Sequence, residues 1–523
     1  MSFVSAAPLD QSSATSARDS WFPRWRPGGA ELIFLLVAIL VLRASRNGTL
    51  DDPGLGWHLR NVDAMIQQGG WLTTDPFTYA RGEPPARWLT NQWLGEIPYW
   101  LGWKWAGLEG IAVANALIIA AMIRWLYRAL ESDGLPWSVA FTWAILAAVG
   151  TSISWVARPN VFTIFFVAVT ARSCVLLHEG RWSWRRTLDL WLMFAAWANT
   201  HGGFVAGLVI LSATVMIETG QWLITKDHDD REAARGRVRA ILGISAGAFV
   251  ATWLNPYGPG LYRWIFQLLG DEFFMKLHTE WHSPDFQSAG AMRYELLILL
   301  LPVVLAFSNR RPNLVEVGLC VLWLHFALGG FRYVALWVVV AVPLMARSSA
   351  AIPKLKELAD RLQFEPGPFV RSRFASPAWL GAIALALVGW TYWARGTYAF
   401  HSPDHVAAKA LDRMLELHAA QADENAVVFH SYNWGGYVTW HGWPRVKNWI
   451  DDRNEVQGRE RIEENFRTVA AEPGWESVLD RNHVQFVCVE PWTPLAASLA
   501  KHPKWTESYR DETAVVFARK PAR

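Results

Sequence analysis

The sequence predicts a mainly α, polytopic helical membrane protein with a small C-terminal α/β domain, and three observations carry that expectation. Only 18% of the 523 residues are charged, against about 25% in soluble globular chains. Apolar runs long enough to cross a bilayer, or nearly so, recur from Ala30 to Trp393. Many of the 33 tryptophans lie beside the ends of those runs, where indole rings anchor at the membrane–water boundary. The same composition excludes an ordinary soluble enzyme and a disordered chain. With 49 Lys+Arg against 46 Asp+Glu, there is no basic footprint of the kind nucleic acid needs.

In chain order, residues 1–29 read as a cytoplasmic tail, residues 30–395 as the membrane-spanning region and residues 396–523 as a soluble domain. About eleven spans are expected, centred on Leu35, Leu117, Ile145, Phe166, Phe194, Ile210, Phe249, Leu300, Val321, Val339 and Leu385. The run ending near Asn199 and the run Leu314–Phe326 are short, which suits tilted, half-buried or re-entrant helices. Arg18, Arg24 and Arg26 precede the first span. Alternate loops then carry Arg124 and Arg128; Arg181, Arg185 and Arg186; Lys226 to Arg239; Arg310 and Arg311; and Lys354 to Arg373. All five fall on the side of the N-terminus, which makes that side cytoplasmic. An odd number of spans then puts the C-terminal domain outside. Arg43 and Arg46 directly follow the first run, which argues against a cleaved signal peptide.

Two external loops are large, 46–108 and 255–293. In the tail, Ala426–Phe429, Tyr437–Trp440, Phe486–Val489 and Ala514–Phe517 read as strands. They alternate with helical stretches at Val406–Ala420 and Glu460–Ala471, enough for an independent α/β core. Cys174, Cys320 and Cys488 have neither disulfide nor metal-ligand spacing and read as buried thiols.

The external side collects polar groups. Asp51 and Asp52 follow the first span, then Pro53, Gly54 and an amphipathic turn bearing Trp57, His58 and Arg60. Arg158 lies at the turn between spans three and four, His201 between five and six, and Arg332 between nine and ten. An ionisable group near the hydrocarbon is a functional candidate by default. His58, Arg60, Arg158, His201 and Arg332 therefore suggest a cationic pocket for phosphate, whose oxygens match the guanidinium fork. Asp75, Asn255, Glu280 and His282, on the same loops, are candidate substrate contacts. The competing reading is helix and turn capping for Asp51, Asp52 and Asp75, and snorkelling for the cations.

Carboxylates beside a cationic pocket at a membrane surface suit one chemistry. In a lipid-linked sugar phosphate the cations stabilise the anionic leaving group, and a carboxylate takes the proton from the attacking hydroxyl. No phosphate-cradling GxxxxGK[ST] and no HExxH competes, and the histidines lack zinc-ligand spacing. In the tail, Asn433–Tyr437 and Trp449–Arg453 mix aromatics with Asp451 and Asp452. They read as a glycine turn with core aromatics, or as a second, carbohydrate-facing acidic site.

The arrangement resembles the GT-C superfamily of membrane glycosyltransferases, which use polyprenyl-phosphate-linked sugars. That family places an essential acidic residue, often a pair, in the first external loop shortly after the first span, and some members add an external C-terminal domain. Asp51 and Asp52 occupy that place. More narrowly, the chain is similar to a group of bacterial multi-pass membrane proteins. The strings that carry this likeness are Asp52-Pro53, Trp57–Arg60, Thr74–Phe77, Ala157–Pro159, Asn199–Gly203, Leu254–Gly258 and Asn433–Tyr437. The resemblance implies an inverting transferase at the external face of the bacterial inner membrane, with Asp52 or Asp51 as the base. It implies a polyprenyl-phosphate-linked sugar as donor and a glycan, lipid or protein as acceptor. Some members use a divalent cation, Mg or Mn, and others do not. The alternatives are an O-antigen polymerase or ligase, and a non-catalytic transporter or assembly protein for envelope glycans. A transporter would carry its charges near the bilayer midplane.

Overall fold

The computed structural model describes residues 25–46, 48–362, 374–399, 407–420 and 426–521. Most of the 1–29 tail, Arg371, Arg373 and Val406 lie outside the described residues. The eleven apolar runs are eleven helices: Gly29–Ser45, Trp93–Ser132, Trp137–Thr151, Asn160–His178, Trp184–Ala198, Phe204–Ile224, His228–Ala251, Ala289–Phe307, Leu314–Gly329, Val334–Ser349 and Ala375–Trp393. Seven described helices are long and apolar enough to cross a membrane. The remaining four are short or, like His228–Ala251, begin in a charged turn. The chain is a multi-pass membrane protein.

Val334–Ser349 sits at the centre of the bundle. It is apolar around nearly its whole circumference and is buried along most of its length, as a helix without a polar face must be. It packs against Trp137–Thr151, Asn160–His178, Ala289–Phe307 and Leu314–Gly329. Gly29–Ser45 packs along Trp93–Ser132. That long helix breaks at Ala106 and Gly107, where Gly107 has φ of +63°. The two halves fold together there: a Cβ on Gly110 would lie 1.9 Å from the Gly102 carbonyl oxygen. Residues 93–105, expected as loop, are therefore a helical shoulder that approaches the bundle from outside.

The basic loops gather at one end of the bundle. Arg181 pairs with Asp133 at 3.2 Å, Arg310 with Glu316 at 2.5 Å, and Arg347 with Asp133, Glu179 and Glu316 at 2.6–3.1 Å. Arg158 and the first large loop lie at the other. Reporter fusions at Asp227 and Arg523 are expected to give opposite orientations. Identical orientations would remove the sidedness on which the site's placement depends.

The C-terminal unit contains a mixed sheet of β1 Val427–His430, β2 Val484–Val489, β3 Trp505–Arg510 and β4 Val515–Arg519 in the order β1-β2-β4-β3. β1 and β2 are parallel, and the other pairings are antiparallel. One expected strand is instead helical: Tyr437–Trp440 lies within the helix Gly435–Gly442. A short, wholly buried run carries no periodicity that separates strand from helix. β3 is a polar edge strand and gave no apolar signal.

Gly435–Gly442 docks the unit onto the Leu55–Gln68 helix of the first loop. A Cβ on Gly436 would stand 1.8 Å from the Pro53 carbonyl oxygen, and one on Gly56 would stand 2.0 Å from that of Gly436. The backbones therefore touch, and side chains there would push them apart. The loop also donates backbone bonds, Tyr79 N–H to the Asn448 carbonyl at 2.8 Å, and accepts Asn448 N–H on the Phe77 carbonyl at 3.0 Å. The first loop and the C-terminal unit form one continuous wall over the bundle end.

Candidate functional site

A cavity of about 1030 Å³ lies where the bundle end, the first loop, the 260–281 loop and the C-terminal unit meet. Its polar centre is Arg158, which bridges two carboxylates. Its Nε is 2.6 Å from Asp52 Oδ2 and its Nη2 is 3.1 Å from Asp452 Oδ2. Each member is placed by its own element. Asp52 Oδ1 accepts the Gly54 N–H at 2.7 Å, which closes the turn that opens the Leu55–Gln68 helix. Pro53 keeps Asp52 extended. Arg158 directly precedes Pro159, the cap of the Asn160–His178 helix. Asp452 is held by the Trp57 indole N–H, which donates to its Oδ1 at 2.8 Å. Burial opposes the charge on Arg158, but Asp52, Asp452 and Glu280 more than offset it and raise its pKa above the ordinary value.

A second pair lies on the same cavity. Arg332 is 3.4 Å from Glu280, and its guanidinium stands 3.8 Å from the centre of the Trp281 ring. Burial pushes the Glu280 carboxyl up, yet Arg332 and then Arg158 hold it below its usual range. The two histidines are neutral at neutral pH. Burial, reinforced by Arg332 and Arg158, brings His201 down to about 3. Its Nδ1 accepts the Gly203 N–H at 3.0 Å, which leaves the ring proton on Nε2. His278 is also lowered, by burial first. The positive charge on the cavity therefore comes from two arginines, each already facing a carboxylate.

The structure gathers Asp52, Arg158, His201, Glu280 and Arg332 around the cavity and leaves the other candidates in the surrounding frame. Asp51 is buried beside Gly48. His58 is buried behind the site with its Nδ1 2.7 Å from Glu96 Oε1, and burial followed by Arg158 lowers its pKa well below that of an ordinary imidazole. Arg60 donates from Nε to the Trp440 carbonyl at 2.7 Å and pairs with Asp63 at 2.8 Å, so it fastens the docking helix. Asp75 pairs with Arg453 at 2.8 Å. Asn255 turns the chain by accepting the Tyr257 N–H at 2.8 Å, and His282 is 3.1 Å from the Lys276 carbonyl at the surface.

Sequence reasoning singled out the Asp451–Asp452 pair without dividing its labour. Neighbouring residues of an extended segment point opposite ways: Asp451 turns into the unit onto Arg453, and Asp452 turns out onto Arg158. His278, Glu455 and Glu490 also line the cavity, and no motif marked them. Among the described residues, no three of His, Cys, Asp and Glu form a metal-binding group. The string Gly243-Ile244-Ser245-Ala246-Gly247 has the spacing of a nucleophile elbow. It lies inside the His228–Ala251 helix, where Ser245 Oγ donates back to the Ile241 carbonyl at 2.7 Å, so it lacks the strand-to-helix turn that exposes such a serine.

No known protein-family model matches the sequence, and no curated protein matches it by sequence. Solved structures do match in fold. The oligosaccharyltransferase AglB from Archaeoglobus fulgidus, in complex with an inhibitory peptide and a dolichol-phosphate, superposes with a TM-score of 0.55 at 11% identity, over 94% of this chain and 74% of AglB. ArnT from Cupriavidus metallidurans gives 0.54 at 14% identity, over 93% of this chain and 97% of ArnT. The mycobacterial arabinofuranosyltransferase AftD gives 0.50 at 13% identity, over 93% of this chain and 41% of AftD. Across helical bundle, first loop and C-terminal unit together, this chain has the fold of the GT-C membrane glycosyltransferases.

Proposed function

We propose that the protein transfers a sugar, with inversion, from a polyprenyl-phosphate-linked donor to an acceptor hydroxyl at the external face of a bacterial inner membrane. The observation that carries this reading is the Asp52–Arg158 pair, set where the cavity passes from polar to apolar lining. Ile164, Val205, Val209, Phe326 and Leu336 line the membrane-side part, which suits a prenyl chain. Arg158 and Arg332 would draw the phosphate, and Asp52 would accept the proton of the attacking hydroxyl. Loss of the phosphate as an anion and gain of the acceptor oxygen on the opposite face of the anomeric carbon balance the exchange. AglB is seen with a dolichol-phosphate, a ligand of the class proposed here. The charges lie at the bundle end rather than at its midplane, which supports transfer over transport.

The donor half of the proposal is tested by binding. Arg332→Ala removes a cation that, among the described residues, is held by a 3.4 Å contact and a ring face, so the fold loses little. Losing one charge-assisted contact costs about 1.5–3 kcal/mol, and polyprenyl-phosphate affinity for the purified protein is expected to drop by about ten- to a hundredfold. Unchanged affinity would move the phosphate site elsewhere.

A further inference from the structure

We propose that the wall contributed to this cavity by the C-terminal unit is an acceptor subsite for a neutral, polyhydroxylated chain: a glycan, not a phosphorylated lipid or an acidic peptide. The inference rests on the glycosyl-transfer reading above and names the acceptor for it.

Charge is segregated across the cavity. Both lining arginines, Arg158 and Arg332, come from the helical region, whereas the C-terminal wall brings Asp452 and Glu490, a partly protonated Glu455 and, among the described residues, no Lys or Arg. An anionic acceptor laid on that wall would meet like charge. Carboxylates only accept hydrogen bonds, so hydroxyl donors are their natural partners. Glu490 already holds one in this way, the Ser431 hydroxyl at 2.5 Å. The wall also carries a half-open aromatic face. Phe466 is 40% exposed, with the Tyr432 ring 5.6 Å away, an apolar surface on which the C–H face of a pyranose can rest.

Asn465 adds an independent sign. It lines the same wall and is 1% exposed; its Nδ2 donates to the His430 carbonyl at 3.2 Å, while its Oδ1 has no donor among the described residues. A buried acceptor without a partner is uncommon, and an incoming hydroxyl would satisfy it. Glu455 fits the same partner. Burial, with Asp452 and Asp451 adding to it, pushes its carboxyl up to about 7, so near neutral pH it both donates and accepts, as a hydroxyl does.

The test is direct binding to the full-length protein in detergent, with the probes stated. Neutral oligosaccharides of glucose, mannose and galactose are compared with phosphorylated lipid A and an acidic peptide by saturation-transfer NMR, and polyprenyl phosphate is measured in parallel. At least one neutral oligosaccharide is expected to bind saturably. Glu490→Gln and Phe466→Ala should each weaken it by tenfold or more on the scale of lost buried contacts, with polyprenyl-phosphate binding unchanged. The proposal is overturned if the anionic probes bind more tightly and Glu490→Gln strengthens them. It is equally overturned if no neutral oligosaccharide binds a preparation that does bind polyprenyl phosphate. Glycan binding without polyprenyl-phosphate binding would keep this subsite and remove the donor assignment instead.

Discussion

Asp52→Asn is expected to lower sugar transfer by at least about a hundredfold with polyprenyl-phosphate affinity nearly unchanged. The substitution separates two roles that one carboxylate holds here. Oδ1 accepts the Gly54 N–H at 2.7 Å, and an asparagine carbonyl does that equally well, since Asn and Asp cap alike. The turn into the Leu55–Gln68 helix therefore survives, as does Arg158, which keeps Asp452 as its counter-charge at 3.1 Å. What disappears is the basic oxygen beside Arg158. A loss confined to the chemical step, measured as single-turnover transfer in membranes with donor binding measured separately, identifies a base. Near-normal transfer would make Asp52 a turn residue and shift the search to Asp452, the other carboxylate on the same arginine.

How far the sequence reaches toward this site depends on the range of the signal. The spans were legible because about twenty apolar residues in a row have few alternatives to a membrane helix. The convergence of Asp52, Arg158, His201, Glu280 and Arg332 was legible because alternation of basic loops fixes which turns share a side. Within one side, hydropathy has no resolution. Arg60 and Arg158 look alike as exposed cations after a span, yet one reaches the Trp440 carbonyl and the other bridges two carboxylates. The difference is made by the C-terminal unit, hundreds of residues away in sequence. Asp75 was misleading for the same reason: its partner is Arg453, and nothing near Asp75 announces it. Protonation was equally hidden. His201 reads as a cation from its neighbours in the chain, whereas burial beside two arginines makes it neutral.

Arg453→Ala is expected to destabilise the protein by about 3–5 kcal/mol through a network outside the cavity. The Arg453 side chain is fully buried, 2.8 Å from Asp75 Oδ1 and 2.5 Å from Asp451 Oδ2, both nearly or fully buried too. Its guanidinium also stands 5.0–5.7 Å from the rings of Trp88, Phe77 and Trp57. It therefore ties the first loop to the C-terminal unit, and Trp57 in turn holds Asp452. The pH dependence distinguishes this charge network from simple packing. Burial acts to raise the Asp75 pKa, but Arg453, Thr78 and the Phe77 N–H together lower it below its unfolded value. In the native protein its contribution is thus fully present above the unfolded pKa and is lost as pH falls through the folded one. Without Arg453, burial dominates and the folded pKa rises above the unfolded value. The sign then reverses, and stability falls as pH rises through the raised pKa. The cost of Arg453→Ala, followed by thermal unfolding in detergent, should therefore be largest at pH 8 and shrink toward pH 5. Adding Asp75→Asn to the same chain should flatten that slope. A loss of equal size at both pH values would mean that Arg453 acts by filling space, and that the two units are held by contact rather than by charge.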